Sequence, residues 1–167
     1  MRALGGAVFL GWGVFVTPEP AISTIQDCDF FDNTGGKGGG ICVSDSYANI
    51  SNTSFVSNRG TILGGGIFNY RTQSVYVNCT VAHNTAPEGG GMENLDNYHP
   101  KFYNCTVVFN SAEKNGGGVY NTINSSPTFY NSIIWGNNIN GRVSEIENNS
   151  SSAKPYVIKF NCQRRFP

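Results

Sequence analysis

The chain repeats itself about every 26 residues, and that period limits the fold more than any local propensity does. The segment DCDFFDN, ending at Asn33, recurs as NTSFVSN at Asn58, NCTVAHN at Asn84, NCTVVFN at Asn110 and NSIIWGN at Asn137, in steps of 25, 26, 26 and 27. A glycine block follows each of the first four copies, as GGGI at Ile41, GGGI at Ile67, GGGM at Met92 and GGGV at Val119. Gly5-Gly6-Ala7 reads as a degenerate earlier copy, and Phe160-Asn161-Cys162 opens another first block. A period of this size marks a solenoid, in which one unit cannot bury its apolar face alone and stacking on neighbours builds a continuous core.

Reading down the columns gives the cross-section. The third residue before the terminal Asn is Phe30, Phe55, Val81, Val107 and Ile134, always apolar, and the eighth is Ile25, Ile50, Tyr76, Phe102 and Phe129. The fifth, Cys28, Thr53, Cys79, Cys105 and Ser132, is always small. Positions −5 to −3 alternate as a half-buried strand does, whereas −8 and −5 are both inward and three apart, so the phase slips and the chain must bend. At position −6 stand Asp27, Asn52, Asn78, Asn104 and Asn131, the non-glycine residues that best tolerate left-handed backbone. A second bend is expected at the terminal Asn column and a third at Val43, Asn69, Asn94 and Asn121. The expected fold is all-β, a right-handed parallel β-helix of five to six turns with three short strands per turn, its hand following from strand twist and crossover preference. Stacked Asn columns are expected to form side-chain amide ladders along the corners.

The expected organisation is a single domain over residues 1–167, read as a fragment of a longer solenoid without polar caps. Residues 138–158, where the first-block spacing lengthens to 30 between Asn131 and Asn161, read as a Ser/Asn-rich loop or protrusion before a last partial turn. Met1 to Val16, with Arg2 and an apolar run broken by Gly5, Gly6, Gly11 and Gly13, leaves open a signal segment or a first turn. No apolar run reaches the roughly 18 to 20 residues of a membrane span. Eleven basic residues balance eleven acidic ones, and only 13% of the chain is charged, so it has no basic field for nucleic acid and no polybasic stretch for an anionic membrane. Gly and Asn, 21 of each, take the place of surface charge, while a hydrophobic fraction of 39% is enough for a core.

Most motifs that suggest chemistry have a plainer origin in the repeat. Asp27, Asp29 and Asp32 form the densest carboxylate group, but the next turn offers Asn52, Ser54 and Ser57, so no second set of acids meets them. Ser57, His83 and Asp32 fall on successive turns with Ser in the middle, the wrong order for a bridging His. The glycine triplets lack the Lys-Ser/Thr ending of a phosphate loop. Cys79 and Cys105, one turn apart, share their column with Thr53 and Ser132, which favours buried free thiols over a disulfide. The Asn-x-Ser/Thr sequons at Asn52, Asn78 and Asn104 arise from the corner column. No catalytic residue, metal ligand or cofactor site emerges from this inventory. The candidate binding residues are aromatic: Tyr103 and Tyr130 at position −7, and Trp135 in the column of Phe31, Val56, Ala82 and Val108 at −2. The pattern favours an inward turn of that last column over an exposed stripe.

The GG-aliphatic signal and FxxN, as in Phe30-Phe31-Asp32-Asn33 and Phe55-Val56-Ser57-Asn58, resemble the repeats of the chlamydial polymorphic outer membrane proteins. More broadly, residues 5 to 140 resemble bacterial right-handed β-helix proteins of the pectate-lyase-like type. Val81, Val107 and Ile134 depart from strict FxxN. The resemblance implies a secreted or cell-surface bacterial protein associated with the outer membrane, an adhesin or a polysaccharide-degrading enzyme. Two functions are therefore expected: a non-enzymatic surface module that binds glycans or a surface protein, or a carbohydrate-active lyase, hydrolase or epimerase whose active face lies partly outside this segment. Two acids, or an acid and a Lys or Arg, meeting on adjacent turns of one face would favour the second.

Overall fold

A computed structural model describes residues 2–3, 8–11, 22–96, 98–149 and 156–158. The chain coils into a parallel β-helix, as the repeat requires, and each coil crosses four sheets. The first sheet stacks Arg2–Ala3, Asp29–Phe31, Ser54–Val56, Thr80–Ala82, Thr106–Val108 and Ile133–Trp135. The second holds Thr34–Lys37, Arg59–Leu63, Thr85–Glu88, Ser111–Asn115 and Asn138–Ile139. The glycine blocks lead into the third, Val8–Gly11, Ile41–Ser44, Ile67–Tyr70, Met92–Leu95, Val119–Thr122 and Ile146–Asn148. The fourth holds Ile22–Gln26, Tyr47–Ser51, Val75–Val77, Lys101–Tyr103, Thr128–Tyr130 and Tyr156–Ile158.

The expectation of three strands per turn is thus corrected to four. The second sheet was hidden because its strands carry little apolar signal, as in Thr-Gly-Gly-Lys and Thr-Ala-Pro-Glu, and because their register slips between Ala86 and Glu88. Backbone pairing with the turns on either side, rather than side-chain alternation, makes them strands.

Two of the three expected corners also move. Asp27, Asn52, Asn78, Asn104 and Asn131 do turn the chain, all with φ between 45° and 54°. The second bend falls one residue before the terminal Asn, at Asp32, Ser57, His83 and Phe109, with φ from 55° to 58°, and at Gly136. The Asn that follows is freed to point inward. The third falls at Asp45, Arg71, Asp96 and Ile123 rather than at Val43, Asn69, Asn94 and Asn121, which are buried inside the third sheet. A fourth corner, at Gly38, Gly64, Gly89 and Gly116, joins the second sheet to the third. The glycine after it has no room for a side chain: a Cβ on Gly65 would stand 2.0 Å from the Gly90 carbonyl oxygen of the next turn.

The core is a set of columns. Phe30 stacks on Phe55 at 4.9 Å between ring centroids, and Tyr76, Phe102 and Phe129 stack at 4.6 and 4.7 Å, close to the turn-to-turn rise. Ile41, Ile67, Met92 and Val119 close the third side. Two amide ladders run through this interior. Asn33, Asn58, Asn84 and Asn110 each donate from Nδ2 to the Oδ1 of the next Asn at 2.9 to 3.0 Å, and the backbone N–H of each uses the same acceptor. Asn137 ends the row by donating to the Glu145 carboxylate at 2.6 Å. The second ladder runs from Asn69 through Asn94 and Asn121 to Asn148, and the Tyr76 hydroxyl donates to its first Oδ1 at 2.6 Å.

Residues 138–158 are in part regular coil. Asn138–Ile139 continues the second sheet, then reverses through Asn140-Gly141 (φ 49° and 79°) to pair antiparallel with Arg142–Val143. Two consecutive left-handed residues are what a two-residue hairpin needs, and Asn-Gly is its strongest short sequence signal. The coil resumes at Ile146, and Tyr156–Ile158 joins the fourth sheet in register with Thr128–Tyr130. Within Met1–Val16, Val8–Gly11 pairs in register with Ile41–Ser44. Gly5-Gly6-Ala7, Cys162 and the partial block at Phe160 lie outside the described residues.

Candidate functional site

Outward-facing residues of the first and fourth sheets meet at the left-handed Asn corner, and the chain places aromatic rings on both sides of it. Tyr103 and Tyr130 are paired across the fourth sheet and project outward, because Phe102 and Phe129 between their neighbours take the inward position. Their rings stack at 4.8 Å with 4° between planes. Beyond the exposed corner amides of Asn104 and Asn131, where Asn131 Nδ2 donates to Asn104 Oδ1 at 2.7 Å, the outer face of the first sheet carries Thr106, Ile133, Val108 and Trp135.

The column of Trp135 faces outward, which corrects the inward turn that the sequence pattern favoured. The bend comes after this column, at the left-handed residue, so Phe31, Val56 and Trp135 stay in strand phase with Asp29, Ser54 and Ile133, and Phe31 is 39% exposed. Trp135 meets Phe109 edge-on at 5.1 Å and 80°, and Phe109 stacks on His83 of the preceding turn at 5.3 Å. Phe109 was not singled out in the sequence. Its φ of 55° throws the ring outward, where it is 44% exposed, and over Gly136, whose missing Cβ would fall 2.9 Å from the ring. The signal that could have found it is glycine in one turn of a column that holds an aromatic in the turn before.

Asp27, Asp29 and Asp32 are exposed; Asp27 accepts from Asn52 and Asp29 from Ser54, so they serve the corner and its flank. Ser57, His83 and Asp32 all sit at left-handed corners, and the imidazole of His83 is stacked on a ring. Cys28, Cys42, Cys79 and Cys105 are free thiols, with Cys79 and Cys105 buried and donating to the carbonyls of Val77 and Tyr103. Among the described residues no group of three or more His, Cys, Asp or Glu side chains is placed to hold a metal ion. No helix among them is long and apolar enough to cross a membrane.

A second cluster lies on the outer face of the third sheet and was missed entirely. Cys42, Phe68, Glu93, Tyr120 and Glu147 are one column in register. They project outward, yet the first four are buried, because the glycine corner folds the end of the second sheet over them. A Cβ on Gly89 would stand 2.8 Å from the Glu93 Cβ. Glu93 is 2% exposed and its Oε2 has no hydrogen-bond partner. Burial, reinforced by the nearby Glu88 carboxylate and opposed by Lys37, pushes its carboxyl up to about 8. Burial and the carboxylates of Glu88, Glu147 and Glu93 likewise raise the Tyr120 hydroxyl. The sequence trace of this site is a pair of acids, Glu93 and Glu147, in an outward column whose other members are uncharged.

A family model described as a right handed beta helix region matches residues 11–156. No curated protein and no solved structure matches the chain.

Proposed function

We propose that the chain, which belongs to the right-handed beta helix family, works as a non-enzymatic binding module of a secreted or cell-surface protein, and that its ligands are glycan rings. The observation that carries this reading is the stacked Tyr103–Tyr130 pair, followed across the exposed Asn corner by Trp135 and Phe109. Flat aromatic faces pack against the apolar C–H faces of sugar rings, and adjacent side-chain amides answer their hydroxyls. The GG-aliphatic and FxxN signals support a place among the pectate-lyase-like repeat proteins, near the chlamydial polymorphic outer membrane proteins, and with it an outer-membrane-associated location. An adhesive role against a surface protein uses the same face.

The carbohydrate-active enzyme reading draws on Glu88 and Glu93, which lie on either side of the Gly89 corner in one turn rather than on adjacent turns of one face. A general acid must reach the glycosidic oxygen within hydrogen-bond distance, and Glu93 at 2% exposure does not meet that requirement. A glycan array followed by calorimetry tests the binding reading. Tyr130→Ala and Trp135→Ala together are expected to weaken the best ligand by about tenfold or more, while Thr61→Ala on the second sheet changes nothing. An array without ligands, together with no binding to cell surfaces, or equal binding by the double variant, would remove the aromatic face from consideration.

A further inference from the structure

The backbone ladder between turns breaks at one glycine corner, and side chains take over there. In the earlier turns the N–H groups of Gly38, Gly64 and Gly89 donate to the carbonyls of Leu63, Glu88 and Asn115 in the turn that follows, each at 2.9 Å. At the next corner the pattern stops. Asn138–Ile139 pairs with Ser111 and Ala112 and then reverses into Arg142–Val143, so it leaves the rest of the Ser111–Asn115 strand. The Gly116 N–H donates instead to Glu147 Oε2 at 2.8 Å, and the Gly117 N–H to Ser144 Oγ at 3.2 Å. Beside this break lies a cavity of about 300 Å³ lined by Lys114, Ile139, Arg142, Val143, Ser144 and Glu147.

The cavity brings together charges that the ladder does not need. Lys114 comes from the second sheet, Arg142 from the hairpin and Glu147 from the third sheet. The ion pairs among the described residues join Arg71 to Asp45 and Asp96, so neither Lys114 nor Arg142 is paired with Glu147. Glu145 is turned toward Gly136 and Asn137. An ammonium and a guanidinium lining one cavity repel each other and together supply charge-assisted donors for an oxyanion. Ser144 Oγ accepts from Gly117, which leaves its own O–H to donate. Glu147 selects the oxyanion. Its Oε2 is taken by Gly116, and the lone pairs of Oε1 repel an anion without a proton but accept from one that carries an O–H. A phosphate group, whose second ionisation falls at about pH 6, keeps such a proton in slightly acidic solution, whereas sulfate has none.

We propose that this cavity binds a phosphate group, with Lys114, Arg142 and the Ser144 hydroxyl on its oxygens and its remaining O–H donated to Glu147. The cavity is at the small end of the range for small-molecule sites, so the phosphate is free or carried on a small ester. The site lies between the second and third sheets and is separate from the aromatic face of the first and fourth.

The test is calorimetry and amide NMR on the folded chain at about pH 6 and fixed ionic strength, with inorganic phosphate, glucose 6-phosphate and sodium sulfate in turn. Saturable binding of phosphate about tenfold tighter than that of sulfate is expected, with shifts at Gly116, Gly117 and Ser144. Lys114→Gln combined with Arg142→Gln is expected to weaken phosphate about tenfold or more while the amide shifts of the other turns stay in place. Glu147→Gln keeps an acceptor for Gly116 and offers the anion an N–H, so it is expected to bind sulfate as tightly as phosphate. Tighter binding of glucose 6-phosphate than of inorganic phosphate supports an ester as the ligand, and equal or weaker binding supports the free ion. The proposal is overturned by the absence of saturable shifts, by sulfate matching phosphate in the parent chain, by full affinity in the double variant, or by a phosphate preference that survives Glu147→Gln.

Discussion

Asn110→Ala is expected to lower the unfolding free energy by about 4 kcal/mol, a large part of the 5 to 15 kcal/mol typical of a domain. Asn110 Oδ1 accepts from the N–H and Nδ2 of Asn84 at 2.8 and 2.9 Å, and its Nδ2 donates to Val81 O and Asn137 Oδ1, both at 2.9 Å. All of this lies in the dry interior, where an unanswered donor or acceptor costs about 1 to 3 kcal/mol. Four groups lose a partner at once, and partial rearrangement keeps the total below their sum. The exposed corner behaves differently. Asn104→Ala is expected to cost about 1 kcal/mol, chiefly because alanine resists the φ of 53° there, and Asn104→Gly to recover most of it. Denaturant unfolding of the three variants checks the contrast; if Asn110→Ala and Asn104→Ala cost the same, the interior ladder is not the main polar support of the coil.

Glu93→Gln is expected to stabilise the protein at alkaline pH and to leave it nearly unchanged at pH 4. The folded-state value of about 8 lies above the ordinary 4.5, so the folded protein keeps a proton that the unfolded chain releases. Stability is therefore unaffected by this group below about pH 4.5, falls as pH rises toward 8, and is level above that. At 1.36 kcal/mol per unit the loss amounts to roughly 3 to 5 kcal/mol. Glutamine keeps the shape without the charge. Parent and variant unfolding curves at pH 4, 6, 8 and 9 should diverge across that window, whereas a constant difference would mean that Glu93 is hydrated or paired in solution.

The repeat made the inward columns legible because identical geometry in every turn demands the same size and polarity at the same place. Phe30, Phe55, Val81, Val107 and Ile134 could be read as one wall before any coordinates, and so could the left-handed Asn corner. The fourth strand could not, since Thr34–Lys37 and its equivalents are held by backbone pairing and have no alternation to read. Tyr103 and Tyr130 were recognisable as an outward pair, but the direction of Trp135 depended on whether the chain bends before or after it, a difference of one residue. Phe109 and Glu93 were invisible for a related reason: the first is placed by an exposed left-handed residue, and the second is buried by a glycine corner from the sheet beside it.

The sequence by itself determined the period, the inward apolar columns, the parallel coil and the stacking of its Asn columns, because each follows from spacing repeated turn after turn. Tertiary structure alone decided where three of the four corners fall, that the Trp135 column faces solvent, and that an outward column ends up buried with an acid in it. Those outcomes depend on how one sheet edge folds over the next, and residues that meet across a corner carry no periodic mark of the meeting.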